Sequence, residues 1–286
     1  MNGGDSSGGE AGRVARENGS WVATLPAMVW IGLGLLGVAV GCLGTLIGAG
    51  GGFLLMPILV MLYPRERPET LASISLAVVF FNALSGSIGY ARQKKIDYPA
   101  GLLFAATGVP GAVIGALVTG LIPRTAFDLW LGLVLVIIAG YLLLAGPIRD
   151  AAHDDQRTTV PHARSRGAII SFGVGFLSSL LGIGGGIIHV PILVYLLKFP
   201  VHVAAATSHF VLTSTAGAGT LVHIFSGAFH TGWRRTIALG IGVVIGAQIG
   251  AMLSRRTPPG IIMKGLAVGL LAAGVRVAWM ALGQIP

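Results

Sequence analysis

The sequence predicts an all-α, polytopic membrane protein with eight transmembrane spans. The spans form two homologous four-span repeats, and the first helix of each repeat is broken or re-entrant. Of the 286 residues, 54% are apolar and only 10% are charged, whereas a soluble domain carries about 25% charged residues. The mean hydropathy is +0.83. The net charge of +9 comes from cations scattered over connecting loops, so a nucleic-acid partner is not expected.

Eight apolar segments supply the predicted spans, since a helix needs about 20 residues to cross a bilayer. They lie near 29–62, 70–91, 99–122, 126–146, 168–197, 203–226, 233–254 and 260–283. The first and fifth are too long for one ordinary span and too short for two. We therefore divide the chain into a disordered tail (1–27), a first membrane repeat (28–146), a polar cytoplasmic linker (147–167) and a second membrane repeat (168–286).

A glycine-rich motif interrupts both long segments. Gly48-Ala-Gly-Gly-Gly-Phe-Leu-Leu-Met-Pro57 recurs 134 positions later as Gly182-Ile-Gly-Gly-Gly-Ile-Ile-His-Val-Pro191. Glycine and proline together disfavour a continuous helix. Unpaired backbone at membrane depth is tolerated only where protein buries it or where it lines a cavity. Matching breaks in two halves indicate the binding site of a transporter.

The polar residues at membrane depth indicate an anion. All ten carboxylates fall in the tail, in loops or at span ends, which argues against a cation channel, a carboxylate-driven proton pump or an enzyme with paired carboxylates. A helix that restarts after a break directs free amides at it, and such ends bind anions. The candidate substrate-binding residues are Thr45, Gly50, Gly51, Gly52, Ser75, Asn82, Ser178, Ser179, Gly184, Gly185, Gly186, His189, Thr207, Ser208, His209 and Arg276.

Each candidate also has a structural interpretation. The glycines can serve close helix packing, as we expect for Gly111, Gly115, Gly246 and Gly250. A single hydroxyl in a span often bonds the carbonyl one turn back, and Arg276 can extend towards an interface or pack against another subunit. The lone Cys42 offers no metal set, and we predict neither cofactor nor metal.

Charge counting sets the expected topology. With the N-terminus inside and eight crossings, eleven lysines and arginines lie inside and six outside, as the positive-inside rule requires. Ten crossings leave the sides nearly balanced. We therefore expect a multi-pass protein of the cell inner membrane with both termini cytoplasmic. Four crossings return the chain to its starting side, which makes the repeats parallel. Inverted repeats require each broken segment to cross twice.

The chain resembles the TauE/SafE sulfite exporter family. The resemblance rests on the two Gly-x-Gly-Gly-Gly-x4-Pro segments, on the small polar steps Ser73-Ile-Ser75 and Thr207-Ser208-His209, and on the duplicated layout from about residue 30 onward. It implies transport, often outward, of sulfur-containing anions such as sulfite, sulfoacetate and related organosulfonates. A membrane enzyme with His189 or His209 as base is not expected, because neither histidine has an activated nucleophile beside it and no H-E-x-x-H or G-x-S-x-G spacing occurs. The partners expected are a small anion and the lipid bilayer, with a homodimer left open.

The functional hypothesis is a secondary transporter that holds an anion near the midplane at the glycine-broken half-helices and works by alternating access. The membrane potential can drive export of an anion as uniport, while His189 or His209 offers a route for an accompanying proton. The alternatives are a transporter of another small carboxylate or of a zwitterionic metabolite, an anion channel and a membrane scaffold.

Overall fold

A computed structural model describes residues 27–144, 161–229, 232–254 and 259–282, without the side chains of 27, 28, 161–166, 259–266 and 269. These residues form ten helices and no strand. The helices are α1 (Ala27–Ile47), α2 (Gly52–Leu62), α3 (Pro68–Arg92), α4 (Tyr98–Thr119), α5 (Arg124–Leu144), α6 (Pro161–Leu181), α7 (Gly186–Pro191, continued by a π-helical turn, Ile192–Leu196), α8 (Val201–Phe225), α9 (Trp233–Leu253) and α10 (Pro259–Leu282). The predicted tail (1–27) and most of the predicted linker (147–167) lie outside the described residues.

The all-α prediction is confirmed over the part of the chain that the structure describes. Eight helices have 21 to 25 residues. Five of them, α1, α3, α4, α5 and α9, are both long and apolar enough to cross a membrane. The two short segments, α2 and α7, follow the glycine motifs. At 11 residues, α2 covers about half of a bilayer core, because a helix rises about 1.5 Å per residue.

The principal helix contacts join the first five helices to the last five. Helix α1 packs against α9, α4 against α6, α3 against α8, and α5 against α10. Glycines line the closest of these contacts: a Cβ at Gly246 would press on the carbonyl of Val38, and a Cβ at Gly111 on that of Phe172. The predicted packing role of these glycines is confirmed. Neither half therefore forms its core alone.

The direction of each helix follows from the register of these contacts. Along α1 and α9, Gly242 lies against Gly34 and Gly246 against Val38. The numbers rise together, so the two helices are parallel. Between α3 and α8 the numbers run oppositely, since Ser87 meets Thr213 and Leu76 meets Gly219. These two helices are antiparallel.

Together the contacts give the two halves an inverted relation. Helix α2 runs back from the break, so the first five helices begin on one face of the molecule and end on the other, and the last five return. We call the face where α1 begins and α10 ends the terminal face, and the face where α5 ends and α6 begins the linker face. Glu66 and Arg235 form a 3.0 Å ion pair on the terminal face, and Gln93 donates to the carbonyl of Ala251 on the linker face.

This arrangement corrects two expectations. Charge counting assigned the loop of Glu66 and the loop before Arg235 to opposite sides, yet these two residues touch. Placing both termini and the linker on one side is therefore wrong, and so is the parallel relation of the repeats. The reason is that each broken segment was counted as one crossing, although α2 and α7 reverse the chain. The number of membrane crossings stays a prediction.

Candidate binding site between the broken helices

The breaks are built from glycines in conformations that other residues rarely adopt. In the first break, Gly48, Gly50 and Gly51 have φ values of 83°, 77° and 80°. In the second, Gly182 and Gly184 have φ values of 64° and 71°. Left-handed backbone strains a residue that carries a Cβ. The motif therefore interrupts the helix through backbone geometry.

The two breaks touch each other at the centre of the molecule. A Cβ on Gly186 would lie 2.6 Å from the Cα of Ala49, and a Cβ on Gly52 would lie 2.5 Å from the carbonyl oxygen of Ile183. The neighbouring Gly184 faces Val79, in the middle of α3. These glycines permit an approach that any side chain would block. Both half-helices therefore start side by side in the protein interior.

The N-termini of the half-helices leave backbone donors unused. In α2 the first bonded amide is that of Leu54, which donates to Gly51 at 3.1 Å. In α7 it is that of Ile188, which donates to Gly185 at 3.1 Å. The amides before these have no intrahelical partner, and the helix dipole adds partial positive charge at the same place. The sequence predicted this feature at both motifs.

A buried polar cluster lies beside the first break. Thr45 donates to Asn82 Oδ1 at 3.0 Å, His209 Nε2 lies 3.3 Å from the Thr45 hydroxyl, and Tyr90 donates to the Thr45 carbonyl at 2.7 Å. All four side chains are buried. The amide nitrogen of Asn82 has no hydrogen-bond partner in the described part of the chain. Three predicted residues thus meet here, and Tyr90 joins them.

A small cavity with four polar residues in an otherwise apolar lining lies beside the second break. Its volume is about 10 Å³, and its polar lining comes from Ser171, His189, Ser208 and Thr215, with Gly186 at the break. His189 Nε2 lies 3.0 Å from the Ser171 hydroxyl. The Ser208 hydroxyl, on a residue only 1% exposed, has no partner among the described residues. No lining residue carries a formal charge.

The first half lacks an equivalent of the hydrogen-bonded pair His189 and Ser171. Aligning the two glycine motifs places Leu55 opposite His189 and Gly37 opposite Ser171. The hydrogen-bonded pair of the second half therefore corresponds to two apolar positions in the first. The cavity belongs to one half of an otherwise inverted arrangement.

Two further predicted serines have different environments. Ser75, which corresponds to Ser208 when Gly86 is aligned with Gly219, donates its hydroxyl to the carbonyl of Gly182 and so ties α3 to the second break. Ser178 lies against Gly185 at the edge of the cavity, and its hydroxyl has no partner in the described chain. The first serine thus supports the break, and the second adds a free donor next to it.

Three predicted residues lie apart from the cavity. Thr207 accepts a hydrogen bond from the Asp97 amide at 3.0 Å, which joins α8 to the loop before α4. Ser179 faces Gly219 on α8. Arg276 is exposed on the outer side of α10, one turn from the exposed Trp279. There it can extend to the membrane interface, so the structure does not bring it to the breaks.

Sequence reasoning missed Ser171, Thr215 and Tyr90. Their types and spacing resemble those of any hydroxyl on an apolar helix, and the Thr215 hydroxyl does bond the carbonyl one turn back at 3.3 Å. Their role depends on which helix face meets the break. A signal for Ser171 was its alignment with Gly37, because a polar residue replaces a packing glycine there.

The sequence is similar to those of known proteins over most of its length. The family model for the sulfite exporter TauE/SafE matches residues 33–277. A probable membrane transporter protein of Bacillus subtilis, YunE, is 33% identical over 270 residues, covering 88% of this chain and 98% of its own. The probable membrane transporter protein MJ0441 of Methanocaldococcus jannaschii is 28% identical and covers 79% of this chain and 86% of its own. No solved structure matches the chain.

Proposed function

This chain belongs to the sulfite exporter TauE/SafE family and is a multi-pass membrane transporter, and from that premise we propose that it is a secondary transporter that exports small sulfur-containing anions. The sulfur class comes from the family description. The residues themselves supply the preference for an anion. Sulfite and short organosulfonates such as sulfoacetate are the proposed substrates.

One observation carries the proposal of an anion. Two half-helix N-termini lie together in the interior, next to a cavity whose polar lining is neutral. Free amides, hydroxyls and the dipole ends stabilise negative charge without a lysine or arginine. A zwitterionic metabolite fits less well, because its ammonium group would need an acidic partner and no carboxylate lines the cavity. Another small carboxylate remains the alternative substrate.

The closed state of the cavity favours a carrier over a channel. At about 10 Å³ it holds no more than one water molecule, so an anion enters only after the helices around it separate. Inverted halves that pack on each other supply two related arrangements for such a movement. We propose alternating access, with the breaks as the centre of the motion. An exported anion gains about 2.3 kcal/mol per charge for each 100 mV of membrane potential.

The corrected topology also changes the proposed orientation. By sequence, ten cations belong to the helix ends at the linker face or to the segments that connect them, namely Arg92, Lys94, Lys95, Arg149, Arg157, Arg164, Arg166, Lys198, Arg255 and Arg256. Seven belong by sequence to the helix ends at the terminal face or to the segments that adjoin them, namely Arg13, Arg16, Arg65, Arg67, Arg124, Arg234 and Arg235. By the positive-inside rule, this count supports a proposed orientation with the linker face in the cytoplasm and both termini outside. Alkaline phosphatase fused after Leu282 should be active, and phosphatase fused after Leu144 should not.

Flux through proteoliposomes tests the function. Purified protein should carry sulfite down its gradient with saturation, and short sulfonates or carboxylates should compete according to their fit. Ser208→Ala should raise the concentration for half-maximal flux. The control Thr107→Val removes a hydroxyl that bonds only its own helix, and should leave flux unchanged. Transport of an amino acid in preference to every sulfur anion would contradict the proposal.

A further inference from the structure

Hydrogen bonding beside the cavity sets the protonation pattern of His189. The Ser171 hydroxyl lies 2.8 Å from the carbonyl oxygen of Gly167 and 3.0 Å from His189 Nε2. A hydroxyl has one proton to donate. If Ser171 donates to Gly167, its oxygen accepts from a protonated Nε2, and two hydrogen bonds form. If it donates to His189, only one forms. The first pattern satisfies more buried groups.

This pattern leaves a lone pair at Nδ1. A neutral imidazole that is protonated on Nε2 is an acceptor at Nδ1. That atom is buried and has no hydrogen-bond partner in the described part of the chain, and His189 itself lines the cavity. A ligand in the cavity is therefore offered an acceptor by His189 and a donor by the free hydroxyl of Ser208.

The surroundings hold no charge that would change this pattern. The ring of His189 contacts Ser171 on α6 and meets the Phe104 ring on α4 edge-on, at 5.6 Å between centroids. It shares the cavity with Ser208 and Thr215 on α8. The other titratable side chain of this part of α8, His209, bonds towards Thr45 at the first break. No aspartate, glutamate, lysine or arginine lines the cavity. Among the described lining residues, no charged side chain supplies Nδ1 with a proton, so a ligand that carries its own proton can donate to it.

We propose that the cavity binds a singly charged oxyanion that still carries one proton. This inference rests on the proposed function and narrows its substrate class. The ligand's O–H donates to His189 Nδ1, and an anionic oxygen accepts from the Ser208 hydroxyl. Weak-acid oxyanions such as hydrogensulfite meet this requirement near neutral pH. Organosulfonates do not, because a sulfonate has lost its acidic proton and presents only acceptors there.

The proton then travels with the anion. If it moves from the ligand to Nδ1, the ligand becomes a dianion beside an imidazolium, and the total charge and number of protons are unchanged. Each transport cycle therefore moves one negative charge and carries one proton. Sulfite flux should acidify the receiving compartment when the anion dissociates there, whereas sulfonate flux should not.

Binding measurements on the purified full-length protein test this inference. Sulfite should bind best where hydrogensulfite predominates, and its apparent affinity should fall about tenfold for each pH unit above the second dissociation of sulfurous acid. Methanesulfonate should bind at least tenfold more weakly than sulfite at the acidic end. His189→Leu, which installs the residue found at the corresponding position of the first half, should abolish sulfite binding. Thr107→Val should bind like the wild type.

A second variant guards against a folding defect. His189→Asn keeps a polar group near the Nδ1 position, so it should retain weak, still pH-dependent binding if the leucine variant unfolds. Sulfite and methanesulfonate binding equally, with no pH dependence, would overturn the inference while leaving sulfur-anion transport intact. Sulfite binding that is the same in the wild type and in both His189 variants would also overturn the inference, because the cavity would then hold only a resident water. Failure of the wild type to bind or carry any sulfur anion would overturn the proposed function as well.

Discussion

The two half-helices that meet at the centre are anchored very differently. Helix α2 ends at a half-buried arginine: Arg124 donates to the carbonyl of Glu66 at 2.6 Å and of Val60 at 3.3 Å. The same guanidinium pairs with the buried Asp128 at 2.8 Å. The last carbonyls of a helix have no intrahelical donors, and a cation there also favours the dipole. Helix α2 is therefore held in place at its C-terminal end.

Helix α7 has no such anchor among the described residues. It continues past Pro191 into a π-helical turn, Ile192–Leu196, and the turn packs through Tyr195 on the ring of Tyr141. π-Helical turns are rare in proteins, and those that do occur are frequently found at functional sites. The half-helix next to the cavity thus lacks, among the described residues, an ion-paired cation like that at the end of α2. From this comparison we expect separate tasks for the inverted halves, with α2 as a fixed wall and α7 as the segment that moves around the ligand.

The largest effect should come from removing the anchor. Arg124→Gln leaves Asp128 buried without its cation and the end of α2 without its donor. Breaking a buried pair in this way costs about 3–5 kcal/mol, so unfolding in detergent should occur at a markedly lower temperature or denaturant concentration. Tryptophan fluorescence during denaturant unfolding would measure the change.

Two companion variants separate the anchor from charge in general. Arg67→Gln removes an ion pair with Glu69 in which the arginine side chain is 75% exposed. This change should lower the free energy of unfolding by no more than about 1 kcal/mol. Combining Arg124→Gln with Asp128→Asn removes the unpaired charge and should restore part of the loss. Equal effects of Arg124→Gln and Arg67→Gln would show that α2 is not held by this contact.

The contact between the breaks should give the next largest effect. Gly186→Ala places a methyl group 2.7 Å from the Gly48 carbonyl oxygen, so the two breaks must separate. Overpacking of this kind costs about 1–3 kcal/mol, and sulfite flux should fall with stability. Gly173→Ala, at a helical site with nothing within 4 Å of the added Cβ, should instead be neutral or stabilising by up to about 1 kcal/mol. Thermal unfolding and proteoliposome flux of both variants check the contrast.

A structural feature could be predicted from the sequence when it depends on neighbouring residues only. The breaks were predictable because glycine and proline act on their own backbone, and the eight long helices follow from apolar runs. The pairing of Ser171 with His189 joins separate helices, so no spacing revealed it. Arg276 was a candidate because it lies in an apolar segment, but only packing decides which face of α10 carries it. The inverted relation depended on the direction of α2, which the left-handed glycines of the first break determine.

The smallest effect on stability, and the sharpest test of the division of tasks, comes from two aligned serines. Ser75→Ala leaves the Gly182 carbonyl without its hydroxyl donor, which should cost about 1 kcal/mol. Ser208→Ala removes a hydroxyl that has no partner in the described chain, so the change in unfolding free energy should stay within about 0.5 kcal/mol. Binding should show the reverse order, because only Ser208 lines the cavity. Unfolding curves and sulfite titrations of both variants measure stability and binding. If Ser208→Ala bound sulfite like the wild type and Ser75→Ala did not, the tasks assigned to the two halves would be exchanged.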